Sequence, residues 1–215
     1  DADTTTGKHG HEGVLSAFRE GKADILIGTQ MIVKGHDFPN VTLVAALAAD
    51  MSMFEQDYQS SERTFQLLQQ ASGRAGRGEK PGEVIIQTYK PEHYVIESIR
   101  KQDDTIFYEN ELAYRRMLGY PPCKAMLRVM ISAEKKEECE EILQNMAKWI
   151  SQKYAGKVSV LGPSAGGLRK RKDRFHWQLM IKGAETETLL GIKEEIMAWM
   201  ENRPHSCYVQ YELDG

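Results

Sequence analysis

The stretch VTLVAAL at residues 41–47 decides the fold of the first half of the chain. Its apolar side chains run on without the alternation of a half-exposed strand, which is typical of a strand buried in a parallel sheet. Similar runs lie at ILIGT, residues 25–29, and at VIIQT, residues 84–88. Apolar residues at helical spacing over 65–71 precede the last run. Strands that alternate with helices predict an α/β fold with a parallel sheet and flanking helices.

The second half of the chain predicts a different order of elements. Its periodicity indicates strands and helices at 125–132 (strand), 135–154 (helix), 158–161 (strand), 175–182 (strand), 186–201 (helix) and 207–213 (strand). This β-α-β-β-α-β order is the split βαβ, or ferredoxin-like, arrangement of an α+β domain. Because helices usually stop before proline, the pair Pro121-Pro122 marks a boundary between domains 1–120 and 121–215.

Composition excludes several classes of protein. The 215 residues are 41% hydrophobic and 27% charged, which suits two modest globular domains. No apolar run approaches the ~18–20 residues of a spanning helix, so we expect no membrane segment, and the first residues do not resemble a signal peptide. Three cysteines lie far apart without a CxxC pair, which predicts reduced thiols in the cytoplasm and no metal site.

The segment QASGRAGRG, residues 70–78, contains the residues best suited to phosphate chemistry. Arg74 and Arg77 are three positions apart near a predicted helix end, so they project to nearly the same side. Two fixed guanidiniums can hold a phosphate and stabilise the charge of a transferred phosphoryl group. The alternative is an ordinary surface turn rich in glycine and arginine.

A second polar loop, GTQMIVKGHDFP at residues 28–39, begins where a strand is predicted to end. Open α/β sheets bind ligands at the carboxyl ends of their strands. Thr29 and Lys34 can contact a nucleic-acid phosphate, and Gly35 permits close backbone approach. Asp37 can accept from a ribose hydroxyl or orient an arginine. The alternative is a βα turn with an exposed lysine.

A basic loop joins the two central strands of the predicted C-terminal domain. Its cations are Arg169, Lys170, Arg171, Lys172 and Arg174. Phe175, His176 and Trp177 follow, so phosphate contacts beside an aromatic platform predict DNA binding. The alternative is a solvated hairpin in which Phe175 and Trp177 fill the core.

Two of these segments together resemble superfamily 2 helicases. Residues 29–37 resemble motif V, and residues 70–77 resemble motif VI in its Gln-x-x-Gly-Arg-x-x-Arg form. Further agreement at SER (61–63), PEH (91–93), RRM (115–117) and WQL (177–179) extends the resemblance to the replication-restart helicases of the primosomal protein N′ family. The resemblance covers nearly the whole chain and implies a RecA-like second helicase lobe over residues 1–120.

The resemblance implies a role for each site residue. Arg77 would be the arginine finger, Arg74 a second phosphate contact, and Gln70 would position the attacking water. Gly35 and Asp37 would lie at the nucleotide, whereas DNA contacts would come from Thr29, Lys34, Arg169, Lys170, Arg171, Lys172 and Arg174. ATP and Mg²⁺ would bind only in the intact protein, because this chain has no Gly-x-x-x-x-Gly-Lys-Ser/Thr loop and no acidic box. The fragment alone should therefore be inactive.

The resemblance also implies partners and a compartment. Family members are 3′-to-5′ DNA helicases of the bacterial cytoplasm that act at stalled forks. They bind forked and single-stranded DNA, single-stranded-DNA-binding protein, and primosome and helicase-loading proteins. Their zinc is bound upstream of the segment that this chain matches, so no zinc is expected here. From the residues alone, a non-catalytic nucleic-acid-binding module remains the alternative.

Overall fold

The computed structural model describes residues 10–29, 38–55, 57–76, 81–171, 174–201 and 206–214. The chain divides into two compact units, residues 1–108 and 109–215, here called the N-terminal and C-terminal units. The division falls within the helix Asp104–Leu118. The boundary expected from Pro121-Pro122 stays a prediction.

The N-terminal unit alternates helices with two strands. The elements in chain order are α1 (Gly10–Arg19), β1 (Leu43–Ala46), α2 (Asp50–Met53), α3 (Ser60–Ser72), β2 (Glu83–Ile86) and α4 (Tyr94–Lys101), followed by α5 (Asp104–Leu118). Strands β1 and β2 are parallel, with Leu43 opposite Glu83 and Ala46 opposite Ile86. The α/β class with a parallel sheet is therefore confirmed.

Helix α3 packs against one face of this sheet. Its apolar side is buried with residues of α4 and α5, and the rings of Phe65 and Phe107 stack with centroids 4.1 Å apart. Ala46 and Ile86 contact this cluster from the strands, whereas Leu43 and Ile85 on the alternate positions are exposed. The expectation that 41–47 is buried on both faces is thus wrong within the described residues.

Residues 25–29 do not form the strand that the sequence predicts. Residues 25–28 have no regular structure, and Ile25 and Ile27 are 77% and 87% exposed. A short apolar run forms a buried strand only where a neighbouring strand supplies its hydrogen bonds. In the part of the chain that the structure describes, the parallel sheet has only β1 and β2, and neither pairs with this run.

Proline is favoured in the first turn of a helix, so the sequence predicts that helix α4 begins at Pro91. The helix instead starts at Tyr94, with His93 as its N-cap. Nδ1 of His93 accepts a hydrogen bond from the Val95 amide at 3.3 Å. A side-chain acceptor satisfies one of the unpaired amides that every helix N-terminus leaves, so the capping histidine, and not proline, sets the start.

Helix α5 buries two charged residues, Glu111 and Arg115. The spacing of its apolar residues predicts that Phe107, Leu112 and Met117 face inward. Phe107 is buried, but Leu112 and Met117 are exposed. Nε of Arg115 donates to the Glu111 carboxylate at 2.7 Å, and Nη1 donates to the Pro121 carbonyl at 3.1 Å. These partners satisfy the guanidinium, which makes its burial tolerable.

The C-terminal unit is a four-stranded antiparallel sheet with two helices. After α5 its elements are β3 (Ala125–Ala133), α6 (Lys136–Lys153), β4 (Val158–Arg171), β5 (Arg174–Gly183), α7 (Thr186–Glu201) and β6 (Tyr208–Asp214). The strand order is β4-β5-β3-β6, and each neighbouring pair is antiparallel. The predicted order of strands and helices is confirmed.

One face of this sheet carries the core. Leu127, Val129 and Ile131 of β3 pack with buried residues of α6 and α7, and alternate residues of β5 and β6 join them. Side chains at the intervening positions lie on the opposite face, here called the second face: Arg128, Met130, Ser132, His176, Gln178, Met180, Tyr208, Gln210 and Glu212.

Candidate nucleotide and nucleic-acid contacts

A turn at residues 73–76 ends helix α3 and carries the first motif arginine. The Gly73 amide donates to the Gln69 carbonyl and the Arg74 amide to the Ala71 carbonyl, each at 3.0 Å. Gly76 then takes a φ of +73°, a conformation that favours glycine. Arg74 is half-buried on this turn, and Arg77 lies outside the described residues.

This turn lies at the amino ends of the parallel strands. The Gly76 amide donates to the Val41 carbonyl at 3.0 Å, just before β1, and the Glu83 amide at the start of β2 donates to Thr42 at 2.8 Å. A Cβ on Gly76 would lie 2.6 Å from the Gly82 nitrogen. The backbone at Gly76 and the backbone at Gly82 therefore lie so close together that only glycine fits at either position. This contact and the hydrogen bond to Val41 hold the turn against the sheet.

Gln70 is exposed in the last turn of α3, four positions before Arg74. The buried side of the helix, with Phe65 and Leu68, fixes its orientation, and Nε2 of Gln69 donates to the Asp104 carboxylate at 2.8 Å. Gln70 therefore extends from a helix that is held by packing and by a polar contact with α5.

The structure describes only the start of the motif V loop. Thr29 is exposed. Lys34, Gly35 and Asp37 lie outside the described residues, so their predicted contacts stay predictions.

Asp50 ties together the carboxyl ends of β1 and β2, a role that the sequence analysis missed. Its buried carboxylate accepts hydrogen bonds from the Thr88 hydroxyl and, at 2.6 Å, from the Tyr89 amide. The Thr88 hydrogen bond, with that of Tyr89, lowers the pKa of the Asp50 carboxyl below its ordinary value. An acidic residue after one apolar run and a threonine after the next were the available signal.

Arg174 of the basic loop contacts main-chain atoms of its own unit. Nη2 donates to the Ser132 carbonyl at 2.8 Å and to the Ser206 carbonyl at 3.2 Å. These bonds connect the start of β5 with the end of β3 and the segment before β6. They favour a structural role, and the predicted DNA contact of Arg174 stays a prediction.

The other basic residues continue from strand β4. Residues 169–171 belong to β4, with Lys170 opposite Phe175 and Arg171 opposite Arg174, but their side chains and Lys172 lie outside the described part. Trp177 pairs with Ile131 and packs against the core, as the alternative interpretation expected. His176 lies on the second face, opposite Ser132.

Lys182 is a buried cation that the sequence did not reveal. Its Nζ donates to the Leu118 carbonyl at the end of α5 at 3.0 Å and lies 3.2 Å from the centroid of the Tyr120 ring. Burial, with the charge of Lys124, lowers the pKa of the Lys182 amine. Through this hydrogen bond and the cation–π contact, Lys182 connects the end of α5 to the sheet.

The two buried thiols show no sign of reactivity. Burial raises the pKa of Cys139 to about 11 and also raises the pKa of Cys207. A protonated thiol is a poor nucleophile, so a packing role fits both residues.

Across the described ranges, no helix has the length and apolar character needed to cross a membrane.

Family models match the two parts of the chain separately. Residues 2–79 match the helicase conserved C-terminal domain, and residues 116–214 match the primosomal protein N C-terminal domain. The first match includes the turn of Arg74, and the second includes the whole antiparallel sheet. A helicase lobe followed by this C-terminal domain defines the class of protein.

Relatives match over the whole chain. The replication restart protein PriA of Bacillus subtilis is 44% identical over 214 residues, and that of Synechocystis is 42% identical over 214 residues. Both matches cover 100% of this chain but only 27% and 25% of those proteins, so the chain spans about a quarter of their length. The chain belongs to the replication restart protein PriA family. A designed protein, Foldit4, matches 43% of this chain and 97% of its own chain at 14% identity, with a TM-score of 0.36.

Proposed function

We propose that this chain is the second lobe and C-terminal domain of an ATP-dependent 3′-to-5′ DNA helicase that restarts stalled replication forks. The observation that carries the proposal is the motif at residues 70–77, which begins on α3 and lies within the match to a helicase C-terminal domain. The turn that follows α3 packs so closely against the segment at Gly82 that only glycine fits at residue 76. Such a lobe supplies arginines to ATP that is bound mainly by another lobe.

Each motif residue has a proposed task in the intact protein. Arg77 contacts the γ-phosphate and stabilises the charge that develops on the transferred phosphoryl group, an effect worth roughly 10³–10⁵ in rate. Arg74 contacts a phosphate or an acidic residue of the other lobe, and Gln70 positions the attacking water. Gly35 and Asp37 lie at the nucleotide, whereas Thr29 and Lys34 contact the DNA backbone.

Mg²⁺ would be held outside this chain, which has neither the phosphate-binding loop nor the acidic box. We therefore propose that the chain alone neither hydrolyses ATP nor unwinds DNA. The family's zinc sites would likewise lie in other segments. An ATP site formed by two lobes cannot activate water when only one lobe is present, although that lobe can bind phosphate weakly.

The C-terminal unit is proposed to be a ferredoxin-like DNA-binding domain. Its β-α-β-β-α-β order and its antiparallel strand order support that arrangement. The cations at residues 169–172 would hold DNA phosphates. We propose the bacterial cytoplasm as the compartment, with forked and single-stranded DNA, single-stranded-DNA-binding protein, and primosome and helicase-loading proteins as partners.

A chimaera tests the helicase function. The corresponding segment of the Bacillus subtilis relative is replaced by this chain, and DNA-stimulated ATP hydrolysis is measured with and without Arg77→Ala. We expect the chimaera to hydrolyse ATP and Arg77→Ala to lower the rate at least 10³-fold, with DNA affinity within a few-fold. Arg63→Ala, which removes an exposed arginine of α3, the helix on which the motif begins, is the control.

Two results would contradict the proposal. Full turnover by the Arg77→Ala chimaera would remove the arginine-finger role. A folded chimaera that binds DNA but never hydrolyses ATP would favour the alternative, a non-catalytic nucleic-acid-binding module.

A further inference from the structure

The second half of helix α3, which leads into the turn at residues 73–76, contacts the start of helix α5 in two layers. In the first layer, the rings of Phe65 and Phe107 stack with their planes 1° apart, and each residue is 2% exposed. In the second layer, Nε2 of Gln69 donates to a carboxylate oxygen of Asp104 at 2.8 Å. Gln69 lies one turn after Phe65 and Asp104 one turn before Phe107, so the polar layer is the one nearer to the turn.

Asp104 is held by the local structure at the start of its own helix. The preceding residue, Asp103, caps α5 by accepting a hydrogen bond from the Thr105 amide at 3.0 Å. The buried Ser98 hydroxyl of α4 donates to the Asp103 carbonyl at 2.7 Å and ties this cap to α4. Because Asp103 supplies the capping oxygen, the Asp104 carboxylate is available to Gln69.

Gln69 connects this anchored helix start to the motif residues. Its side chain bonds to Asp104, and its carbonyl accepts from the Gly73 amide at 3.0 Å, at the start of the turn that carries Arg74. Gln70 is the next residue, about 100° further round the helix. A displacement of Gln69 therefore moves both Gln70 and the turn.

The polar layer restrains the end of α3 more than it stabilises the unit. Gln69 and Asp104 are exposed, whereas the stacked rings are buried. An exposed hydrogen bond contributes little to global stability, but helix ends open locally at a low free energy. The contact therefore acts on the order of the last turn of α3.

We propose that Asp104 is a positioning residue for ATP hydrolysis, acting through Gln69 on Gln70 and Arg74. Its carboxylate contacts Gln69 and holds the last turn of α3 in the geometry in which Gln70 meets the attacking water. This proposal rests on the proposed helicase function and adds the residue that keeps the motif in place. A displaced catalytic group can lower a rate by up to about 10²-fold.

The first test uses the 215-residue chain alone and measures hydrogen exchange of the Gly73 amide, which reports the last turn of α3. Asp104→Ala should speed this exchange at least about threefold. Asp104→Asn keeps a side-chain oxygen that accepts from Gln69, so its exchange should stay within about twofold of wild type. Gln66→Ala is the matched control, because Gln66 donates to the Glu62 carboxylate at 3.2 Å within α3 itself.

The second test measures ATP hydrolysis by the chimaera that tests the proposed function. Asp104→Ala and Gln69→Leu should each lower kcat about 3- to 30-fold and leave KM for ATP within about twofold. Asp104→Asn should restore kcat, and the double variant should lose no more than either single variant, because both remove the same contact. Gln66→Ala should keep the kcat of the unmodified chimaera.

Three outcomes would overturn the positioning role. Unchanged exchange of the Gly73 amide in Asp104→Ala would show that the contact does not restrain the motif. Unchanged kcat in the same variant would show that the restraint does not matter for hydrolysis. Equal losses in Asp104→Asn and Asp104→Ala would exclude the hydrogen bond as the cause. A chimaera without any ATPase contradicts the proposed function itself, whereas a failure confined to these variants leaves that function intact.

Discussion

Replacing Glu111 by leucine removes half of the buried ion pair of helix α5. The side chains of Glu111 and Arg115 are only 6% and 9% exposed. Without the carboxylate, the guanidinium keeps the Pro121 carbonyl at 3.1 Å but loses its 2.7 Å contact with an opposite charge. A buried charge without its counter-ion is costly because the low-dielectric surroundings cannot solvate it.

The expected loss of stability follows from that burial. Removing one partner of a buried ion pair typically costs about 3–5 kcal/mol. With a urea dependence of about 1.5 kcal/mol per molar for a unit of this size, a loss of about 3 kcal/mol lowers the urea midpoint by about 2 M. The double variant Glu111→Leu/Arg115→Met, which leaves no buried charge, should lose less than the single variant.

Tryptophan fluorescence reports this unit selectively, because Trp149, Trp177 and Trp199 all lie within residues 109–215. The control is Glu140→Gln, which breaks an ion pair with Lys136 of the same i,i+4 spacing, whose side chains are 28% and 49% exposed, and it should cost under about 0.5 kcal/mol. A midpoint shift for Glu111→Leu no larger than the control's would refute the reasoning.

Three further predictions concern single positions. Gly76→Ala and Gly82→Ala should each lower the thermal midpoint of the N-terminal unit, measured by circular dichroism, because an added Cβ would lie within 2.6 Å of backbone; equal midpoints would show that the two segments do not meet. Asp50 has a lowered folded pKa, so its stabilisation is present above the unfolded pKa of ~3.9 and lost as pH falls through the folded value. Hydrogen-exchange protection of the amide that follows Thr88 should fall in that acid range in wild type but not in Asp50→Asn; parallel profiles would contradict this. Arg174→Ala should cost about 1–3 kcal/mol in urea unfolding and leave the salt dependence of DNA binding unchanged; a reduced salt slope would instead assign the guanidinium to phosphate.

The C-terminal unit was the more predictable half because its elements bury one face along most of their length. Helix α7 has the predicted bounds, Thr186–Glu201, β3 is one residue longer than predicted at its carboxyl end, and β6 differs by one residue at each end. The predicted end of β4 at residue 161 is wrong, because the strand continues to Arg171. Such long elements repeat their periodicity several times, so local sequence suffices to find them.

Local sequence failed where distant partners decide the outcome. Residues 25–29 have the composition of a strand but no pairing partner among the described residues. In α5, the ion pair between Glu111 and Arg115 occupies the buried side of the helix, and Leu112 is exposed. Arg174 sits in a cationic run typical of phosphate binding, yet its bonds go to two carbonyls that are 32 or more residues away in sequence.

The paired glycines at 76 and 82 have a consequence for how this segment responds to mutation. A saturation screen for lost activity would mark both positions as essential, although neither has a side chain that could reach a substrate. Arg77 follows Gly76 directly in the sequence, so a shift of the backbone at Gly76 would also act on the residue proposed as the arginine finger. Loss of function at these positions would then reflect backbone fit, and swapping the glycines for alanine would mimic a catalytic lesion without changing any charge.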